Sequence, residues 1–302
     1  MVGGAAGGSG GASGLAGGMP SPMAALEAGR GSPGGTTAAS SAGASGIEGA
    51  AVGGSGAGSA GQLSPPSAAG AGAGAPASAT PVTVYIAGDS TVSTYRDTAS
   101  PSDQAGWGQM LHEHVRDKVM IENRAVGGRT ARRFIDDGTL DEIWEQIQAG
   151  DYLLVQFGTN DGNRSATYTY QGQTIPYYLD PATDFKTYLK MYSDGARKHG
   201  AIPVFVTPPP RNSAYCTGGN GTGAHAQAMR ELAASEQVLL SDLNERSVSY
   251  LKAICPAPSP PDFYLQKPDG SVDGTHFQEQ GARKLAELVA DGLREAGVSW
   301  VK

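Results

Sequence analysis

Hydrophobic and polar positions follow two periods that alternate along residues 82–302. Short runs of apolar and β-branched residues predict strands at 82–87, 119–122, 151–157, 202–207 and 238–242. Apolar positions three and four residues apart predict seven helical segments. The first begins at Gly106, the second is short and polar and ends at Phe134, and the sixth is capped by Asn244; the others span 140–147, about 181–199, 224–234 and about 278–296. This alternation favours an α/β domain whose parallel sheet is covered by helices on both faces.

Three positions that could contribute to chemistry fall shortly after predicted strands. Ser90, Gly128 and Asn160 come after the first, second and third strand of this pattern. The carboxyl ends of parallel strands form one edge of the sheet, and the ligand-binding and active sites of such proteins lie at that edge. We therefore expect these residues to converge. The stretch after Asn160 and the stretch around His276 carry no regular period, and both predict loops.

The first part of the chain has a different composition. Residues 1–81 are almost entirely Gly, Ala, Ser, Pro and Thr, with no aromatic residue and three charges, Glu27, Arg30 and Glu48. Such a segment cannot bury enough apolar surface to offset its conformational entropy. We predict a disordered linker over 1–81 and one folded domain over 82–302, which should carry the function.

Charge and hydropathy exclude several classes of protein. The net charge of −7 and the pI of about 5.2 argue against a nucleic-acid-binding protein, which normally carries a basic stripe. No apolar run approaches the roughly 18 residues that a transmembrane helix needs. No signal peptide is visible at the N-terminus, yet we expect a secreted, cell-surface or periplasmic protein, because the start of the native chain is not fixed by this sequence. We also expect a monomer.

The sequence contains two cysteines, Cys216 and Cys255, each in a stretch rich in Gly or Pro. In an oxidising compartment they could form one disulfide that pins two loops together, and the alternative is two unrelated thiols. Two ligands of one type are too few for a zinc site. We therefore expect no metal and no cofactor.

Ser90 and the pair Asp273 and His276 are the strongest candidates for chemistry. A serine hydroxyl becomes a useful nucleophile only when a base takes its proton, and histidine suits that task at neutral pH. Among the five histidines, His276 alone has a carboxylate three residues earlier in a predicted loop. Asp273 can then accept the Nδ1 proton and leave Nε2 facing Ser90.

A serine esterase also needs hydrogen-bond donors for the oxyanion of its tetrahedral intermediate. The backbone N–H groups of Ser90 and Gly128 and the side-chain amide of Asn160 could supply three. Each residue alone has an ordinary explanation, such as a helix cap, a turn glycine or a loop polar residue. Their joint placement after successive strands argues against that explanation for the set.

Four motifs, in this order, resemble the blocks of the SGNH (GDSL-type) hydrolases: Gly88-Asp89-Ser90, Gly128, Gly158-Thr159-Asn160-Asp161 and Asp273-x-x-His276. These are flavodoxin-like α/β/α esterases, and the resemblance covers about residues 82–296. Further motifs are similar to those of the rhamnogalacturonan acetylesterases, secreted enzymes that deacetylate pectin: Gly-Asp-Ser-Thr-Val, Gly-Trp-Gly-Gln, Asn-Arg-Ala-Val-Gly-Gly-Arg-Thr-Ala-Arg and Thr-Pro-Pro-Pro-Arg211. Thr91 stands where the wider group has Leu.

The resemblance implies a flavodoxin-like fold and a serine esterase that removes O-acetyl groups from plant cell-wall polysaccharide through an acetyl-serine intermediate. It implies Ser90 as nucleophile, Gly128 and Asn160 in the oxyanion hole, and Asp273 with His276 completing the triad. Acetylated rhamnogalacturonan is the substrate that it favours.

Residues that could bind such a polymer lie near the predicted site. Arg132 and Arg211 could pair with uronate carboxylates through two parallel hydrogen bonds. Tyr168 and Tyr170, in the loop after Asn160, could stack on sugar rings, or they could pack that loop onto the domain.

Other functions remain open at this point. A lipase, a thioesterase or an acetyl-xylan esterase would have the same fold and the same triad. A metal-dependent phosphoesterase would use Asp89, Asp161, Asp273 and His276, although such sites normally contain more histidine ligands. A purely binding module is disfavoured because it would have no use for a complete triad.

Overall fold

The computed structural model describes residues 81–95, 103–212, 216, 220–255 and 263–302. Apart from Pro81, the predicted linker over 1–81 lies outside the described residues. The helices, strands and contacts given below all lie within these ranges.

A parallel sheet forms the centre of the domain. Its strands are β1 (Val82–Gly88), β3 (Val119–Asn123), β4 (Tyr152–Gln156), β7 (Ile202–Val206) and β8 (Leu239–Ser241). Their spatial order is β3-β1-β4-β7-β8, and each neighbouring pair is parallel. Counted along the chain, this is the flavodoxin-like order 2-1-3-4-5, in which the chain changes direction between β1 and β4. The predicted α/β fold is confirmed.

Helices cover both faces of the sheet. One face carries α1 (Trp107–Met110), α6 (Leu243–Ile254) and α7 (Glu279–Glu295), and the other carries α2 (Ala131–Asp136), α3 (Thr139–Trp144), α4 (Asp184–Lys198) and α5 (Gly223–Glu236). A 3₁₀ helix, Leu111–His114, follows α1. Within the described ranges, no helix combines the length and apolar character that a membrane crossing requires.

The alternation of side chains along β1 explains the two hydrophobic cores. Val84 and Ile86 pack with α1, α6 and α7, whereas Tyr85 and Ala87 pack with the helices on the opposite face. Successive side chains of a strand point to opposite faces, so a strand covered on both sides is apolar throughout. This rigid strand ends two residues before Ser90.

Two predicted loops contain short antiparallel strands. The stretch after Asn160 forms a hairpin of β5 (Thr167–Tyr170) and β6 (Gln173–Pro176). The stretch around His276 is β10 (Val272–Gln278), the middle strand of a second sheet, which pairs with β2 (Gln104–Ala105) on one side and β9 (Tyr264–Gln266) on the other. Both loop predictions are therefore wrong in part. Four of these strands were missed because they have only two to four residues each. β10 has seven residues and was missed because it pairs with the distant β2 and shows no period of its own.

The N-terminus of α6 also differs from the prediction. Asp242 caps this helix, because its carboxylate accepts a hydrogen bond from the Glu245 backbone N–H at 3.3 Å. Asn244, predicted as the cap, lies inside the first turn and is buried, and its amide donates to the Pro208 carbonyl oxygen at 2.7 Å. Asp and Asn cap helices equally well, so composition alone could not choose between these two positions.

Cys216 and Cys255 form a disulfide bond, with Cα atoms 5.3 Å apart. The bond joins the loop after β7 to the C-terminal end of α6, where Cys255 is the capping residue. It closes a loop of 39 residues, so it removes conformational freedom from the unfolded chain.

Removing this bond should lower stability without changing the fold. We expect the double variant Cys216→Ser, Cys255→Ser to lose about 2–4 kcal/mol of unfolding free energy in urea denaturation. Wild-type protein denatured in reducing agent is the matched control and should show the same loss. An unchanged midpoint in both samples would contradict a structural role for the bond.

Candidate active site

Ser90 lies in the turn that follows β1, at the edge where the chain changes direction between β1 and β4. The Asp89 carbonyl oxygen accepts hydrogen bonds from the backbone N–H groups of Val92 and Ser93, both at 3.1 Å, and this closes the turn. The Ser90 carbonyl oxygen accepts a hydrogen bond from the Tyr95 hydroxyl at 2.8 Å. The Ser90 side chain is therefore held on a fixed backbone, and the residue keeps 9% of its surface exposed.

A buried chain of hydrogen bonds supports this turn from below. The Trp107 indole donates to Gln156 at 2.7 Å, the Gln156 amide donates to the Thr91 hydroxyl at 3.0 Å, and Thr91 donates to the Asp89 carboxylate at 2.7 Å. Burial raises the pKa of Asp89, and its hydrogen bonds with Thr91 oppose that rise. All four side chains lie in the interior, so they hold the strand end rather than contact a ligand.

The imidazole of His276 reaches Ser90. Its Nε2 lies 3.0 Å from the Ser90 Oγ, and its Nδ1 lies 3.1 Å from Oδ1 of Asp273. Both distances suit hydrogen bonds, and the imidazole bridges the hydroxyl and the carboxylate. All five histidines are among the described residues, and His276 alone contacts Ser90.

Asp273 is held ionised by its surroundings. Oδ1 accepts hydrogen bonds from the backbone N–H groups of Thr275 at 2.7 Å and His276 at 2.8 Å. Partial burial alone would raise the pKa of Asp273, but these backbone donors and the imidazole together lower it below its usual value. The carboxylate therefore keeps its negative charge at mildly acidic and neutral pH.

An irregularity in β10 presents these two side chains at the sheet edge. Val272 pairs with Gln266 and Phe277 pairs with Tyr264, so five positions along β10 correspond to two along β9. The extra residues form a bulge, and bulges next to active sites commonly change the direction in which a side chain points. Residues 273–276 of β10 thus lie between its two pairing positions with β9, and the side chain of His276 reaches Ser90 from there; α7 begins at Glu279, directly after β10.

The three expected oxyanion donors belong to the turn after β1, the loop after β3 and the loop after β4. Gly128 has φ +75°, a conformation that favours glycine, and a Cβ built on the neighbouring Gly127 would lie 3.6 Å from the Ser90 Cβ. The Asn160 amide donates one hydrogen bond to the Arg129 carbonyl oxygen at 2.9 Å, which fixes it against the same loop. Within the described ranges, the backbone N–H groups of Ser90 and Gly128 donate to no protein acceptor.

Asp161 holds the Asn160 loop to helix α2. Its two carboxylate oxygens accept hydrogen bonds from the backbone N–H groups of Ala131 and Gly158, both at 2.8 Å. Burial raises the pKa of Asp161 to about 7, although both backbone donors oppose that rise. Sequence reasoning missed this supporting role, and the position of Asp161 directly after Asn160 was the available signal.

Arg132 and Tyr168 are engaged with the protein. Arg132 Nε lies 3.1 Å from the Asp136 carboxylate, and its guanidinium carbon lies 5.8 Å from the ring centroid of Tyr188. The Tyr168 hydroxyl donates to the same Asp136 carboxylate, and the residue keeps 8% of its surface exposed. Burial, reinforced by Asp136, raises the pKa of Tyr168. Among the described residues, neither side chain contacts Ser90 or its imidazole partner.

The other two residues expected to bind a polymer differ in their surroundings. Tyr170 is partly exposed on the hairpin, where its hydroxyl accepts a hydrogen bond from the Gln171 amide at 3.1 Å. Arg211 is partly buried and donates to the Thr275 hydroxyl and to the Thr159 carbonyl oxygen. Arg211 is therefore next to the site, but its contacts are with the protein.

A metal-dependent phosphoesterase would need a cluster of metal-ligating side chains. Among the described residues, no group of three or more His, Cys, Asp or Glu side chains is arranged to hold a metal ion. Both oxygens of Asp161 accept from backbone N–H groups, and Oδ1 of Asp273 does the same. These three carboxylate oxygens are therefore already engaged by backbone N–H groups.

Comparison with known proteins agrees with this geometry. The model of the GDSL-like lipase/acylhydrolase family matches residues 86–284. The probable rhamnogalacturonan acetylesterase YesY of Bacillus subtilis is 36% identical over 219 residues, covering 71% of this chain and 94% of YesY. The rhamnogalacturonan acetylesterase RhgT of the same organism is 36% identical over 227 residues, covering 72% of this chain and 92% of RhgT.

A solved structure extends the likeness to the fold. The crystal structure of protein YxiM from Bacillus subtilis has a TM-score of 0.60 and 30% identity to this chain. The match covers 73% of this chain and 58% of the YxiM chain, so it spans just over half of that protein. With the family match over residues 86–284 and the two acetylesterases, this chain belongs to the GDSL-like lipase/acylhydrolase (SGNH) family of carboxylic ester hydrolases.

Proposed function

We propose that this protein is a serine esterase in which Ser90 attacks an acetyl ester, His276 is the general base and Asp273 orients and stabilises the imidazole. The observation that supports this proposal most is the continuous hydrogen-bonded array from Ser90 Oγ through the imidazole to the carboxylate, with separations of 3.0 and 3.1 Å. Nucleophile, base and orienting group within hydrogen-bond reach are the signature of nucleophilic catalysis.

In the first half of the reaction, Ser90 Oγ forms a bond to the acetyl carbonyl carbon while His276 Nε2 takes the hydroxyl proton. The negative charge that develops on the carbonyl oxygen faces the backbone N–H groups of Ser90 and Gly128 and the amide of Asn160. His276 then returns the proton to the sugar oxygen as the bond between that oxygen and the acetyl carbon breaks. The sugar leaves as an alcohol, and Ser90 carries the acetyl group.

In the second half, water replaces the sugar. His276 takes a proton from water as its oxygen attacks the acetyl-serine carbonyl, and the same three donors face the oxyanion. The bond to Ser90 Oγ then breaks, and His276 protonates that oxygen. Acetate leaves and the enzyme is restored, so Asp273 faces an imidazolium ion in both halves.

For the substrate, we propose O-acetyl groups on rhamnogalacturonan. The support is the similarity to YesY and RhgT, which extends over more than nine tenths of each of those proteins. A disulfide and a polymeric cell-wall substrate both fit a protein that acts outside the cytosol, because disulfides persist in oxidising compartments. We therefore also propose secretion or attachment at the cell surface.

Acetate release from three acetylated polymers tests this substrate. We expect the highest kcat/KM on rhamnogalacturonan, with homogalacturonan and xylan at least about tenfold lower, which corresponds to about 1.4 kcal/mol of transition-state binding. The Ser90→Ala variant gives the background release for each polymer. A preference for xylan would contradict the proposed substrate and leave the proposed chemistry standing.

Replacing Asn160 with alanine tests the proposed oxyanion hole. We expect kcat to fall by about 10²–10³-fold on a small acetyl ester, with KM little changed, because the amide would act on the transition state rather than on the ground state. Asn163→Ala, in the exposed part of the same loop, is the matched control and should change kcat by no more than about twofold. Equal kcat values for the two variants would remove Asn160 from the oxyanion hole.

A further inference from the structure

Arg211 joins the segment that carries His276 to the loop that carries Asn160. Its Nη1 donates to the Thr275 hydroxyl at 2.6 Å, and its Nη2 donates to the Thr159 carbonyl oxygen at 2.8 Å. Thr275 directly precedes His276, and Thr159 directly precedes Asn160. The two acceptors are 64 and 52 residues away from Arg211 in sequence, so one side chain connects two distant parts of the chain.

The loop that carries Arg211 is itself anchored. The Arg211 backbone N–H donates to the Asn220 carbonyl oxygen at 3.1 Å. The side chains of Asn220 and Asn244 exchange two hydrogen bonds, of 2.7 and 2.9 Å, which tie this loop to helix α6. The disulfide between Cys216 and Cys255 ties the same loop to the other end of that helix. Arg211 therefore projects from a fixed backbone.

We propose, on the basis of the proposed function, that Arg211 is a positioning residue. It holds the imidazole of His276 and the amide of Asn160 at a fixed distance and orientation from each other. The planar guanidinium presents several N–H groups in a fixed fork, so it can reach a hydroxyl and a carbonyl oxygen together. Nucleophilic attack needs the base and the oxyanion donors to be correctly placed at the same moment. A displacement of about 1 Å in such a site can cost about 100-fold in rate.

This role differs from the binding of a uronate carboxylate, and the two roles make different predictions for a neutral substrate. A small neutral acetyl ester such as p-nitrophenyl acetate has no carboxylate to pair with Arg211. A positioning residue should affect kcat on this ester and on the acetylated polymer equally. A residue that binds the polymer should change KM for the polymer and leave the small ester unaffected.

The experiment compares Arg211→Ala with wild type on both substrates. We expect kcat to fall by about 10- to 100-fold on each, by the same factor, with KM on the small ester changed by no more than about twofold. Arg197→Ala is the matched control. That guanidinium also donates to two acceptors, the backbone carbonyl oxygens of Glu236 and Gln237, but α4 places it at the opposite edge of the sheet. The control should keep wild-type kcat.

Two further variants keep the test decisive if Arg211→Ala folds poorly. Thr275→Val removes the hydroxyl acceptor and keeps the backbone N–H that donates to Asp273, and it should lower kcat by a smaller factor in the same direction. Thr275→Ser keeps a hydroxyl at this position, so its kcat should be close to that of wild type. The double variant Arg211→Ala, Thr275→Val should have the same kcat as Arg211→Ala alone, because both substitutions remove the same hydrogen bond.

Three results would overturn the proposal while wild type remains an active esterase. They are an unchanged kcat for Arg211→Ala on the small ester, a loss confined to KM on the polymer, and full additivity of the two single losses in the double variant. Failure of wild type to hydrolyse either ester would instead refute the proposed function, so the two failures are distinguishable.

Discussion

Replacing Ser90 with alanine should lower kcat on a small acetyl ester by at least about 10⁴-fold. The hydroxyl whose oxygen lies 3.0 Å from His276 Nε2 is the proposed nucleophile, and alanine leaves the imidazole without a proton to take. The residual rate would come from water attack aided by the oxyanion donors. Steady-state release of p-nitrophenol at neutral pH measures this loss directly.

A second serine variant controls for the loss of a hydroxyl as such. Ser235→Ala lies near the C-terminal end of α5, where the hydroxyl donates to the Leu232 carbonyl oxygen within its own helix. We expect its kcat to stay within about twofold of wild type. If Ser90→Ala kept a rate similar to that of Ser235→Ala, the proposed nucleophile would be wrong.

The Asp273→Asn variant should lower kcat by about 10⁴-fold with little change in KM. The amide retains the size of the carboxylate and one acceptor for the backbone N–H groups of Thr275 and His276. It removes the negative charge that, in the proposed mechanism, stabilises the imidazolium ion and selects the tautomer with the proton on Nδ1. Because the pKa of Asp273 is lowered below its usual value, this charge is present in wild type at neutral pH.

Asp269→Asn is the matched control for this substitution. Asp269 lies in the turn between β9 and β10, where its carboxylate accepts hydrogen bonds from the Ser271 backbone N–H and hydroxyl. The same chemical change in the same hairpin should therefore alter kcat by no more than about twofold. A loss for Asp269→Asn as large as that for Asp273→Asn would trace both effects to the hairpin rather than to the charge beside His276.

Local pattern was sufficient to predict the sheet and the residues at its edge. The central strands β1 and β4 are apolar on both faces, so their composition is distinctive, and Ser90 and Asn160 follow within four residues of the ends of these two strands. Ser90 and Asn160 could thus be placed at one edge from the amino-acid sequence alone. His276 could be chosen among the histidines because its carboxylate partner lies only three residues away.

Features that depend on distant partners could not be predicted in this way. The bulge that turns His276 toward Ser90 exists only because β10 pairs out of step with β9. The sequence makes Arg211 and Tyr168 candidates for binding a polymer, with packing of the loop as the alternative for Tyr168. Acceptors for these two side chains lie 64 and 32 residues away in sequence, and only the folded chain brings them within reach. The amino-acid sequence shows which side chains can donate hydrogen bonds, but it does not show which acceptor each of them contacts in the folded protein.

Covalent labelling is the most direct measurement of whether Ser90 is a nucleophile activated by His276. A fluorophosphonate forms a stable ester with an activated serine, and mass spectrometry of the digested protein locates the adduct. We predict one adduct for each chain, on the peptide that contains Ser90, with labelling abolished in Ser90→Ala and slowed by at least about 10³-fold in His276→Ala. An adduct on another residue of the active wild-type enzyme, or equally fast labelling of His276→Ala, would contradict the proposed mechanism.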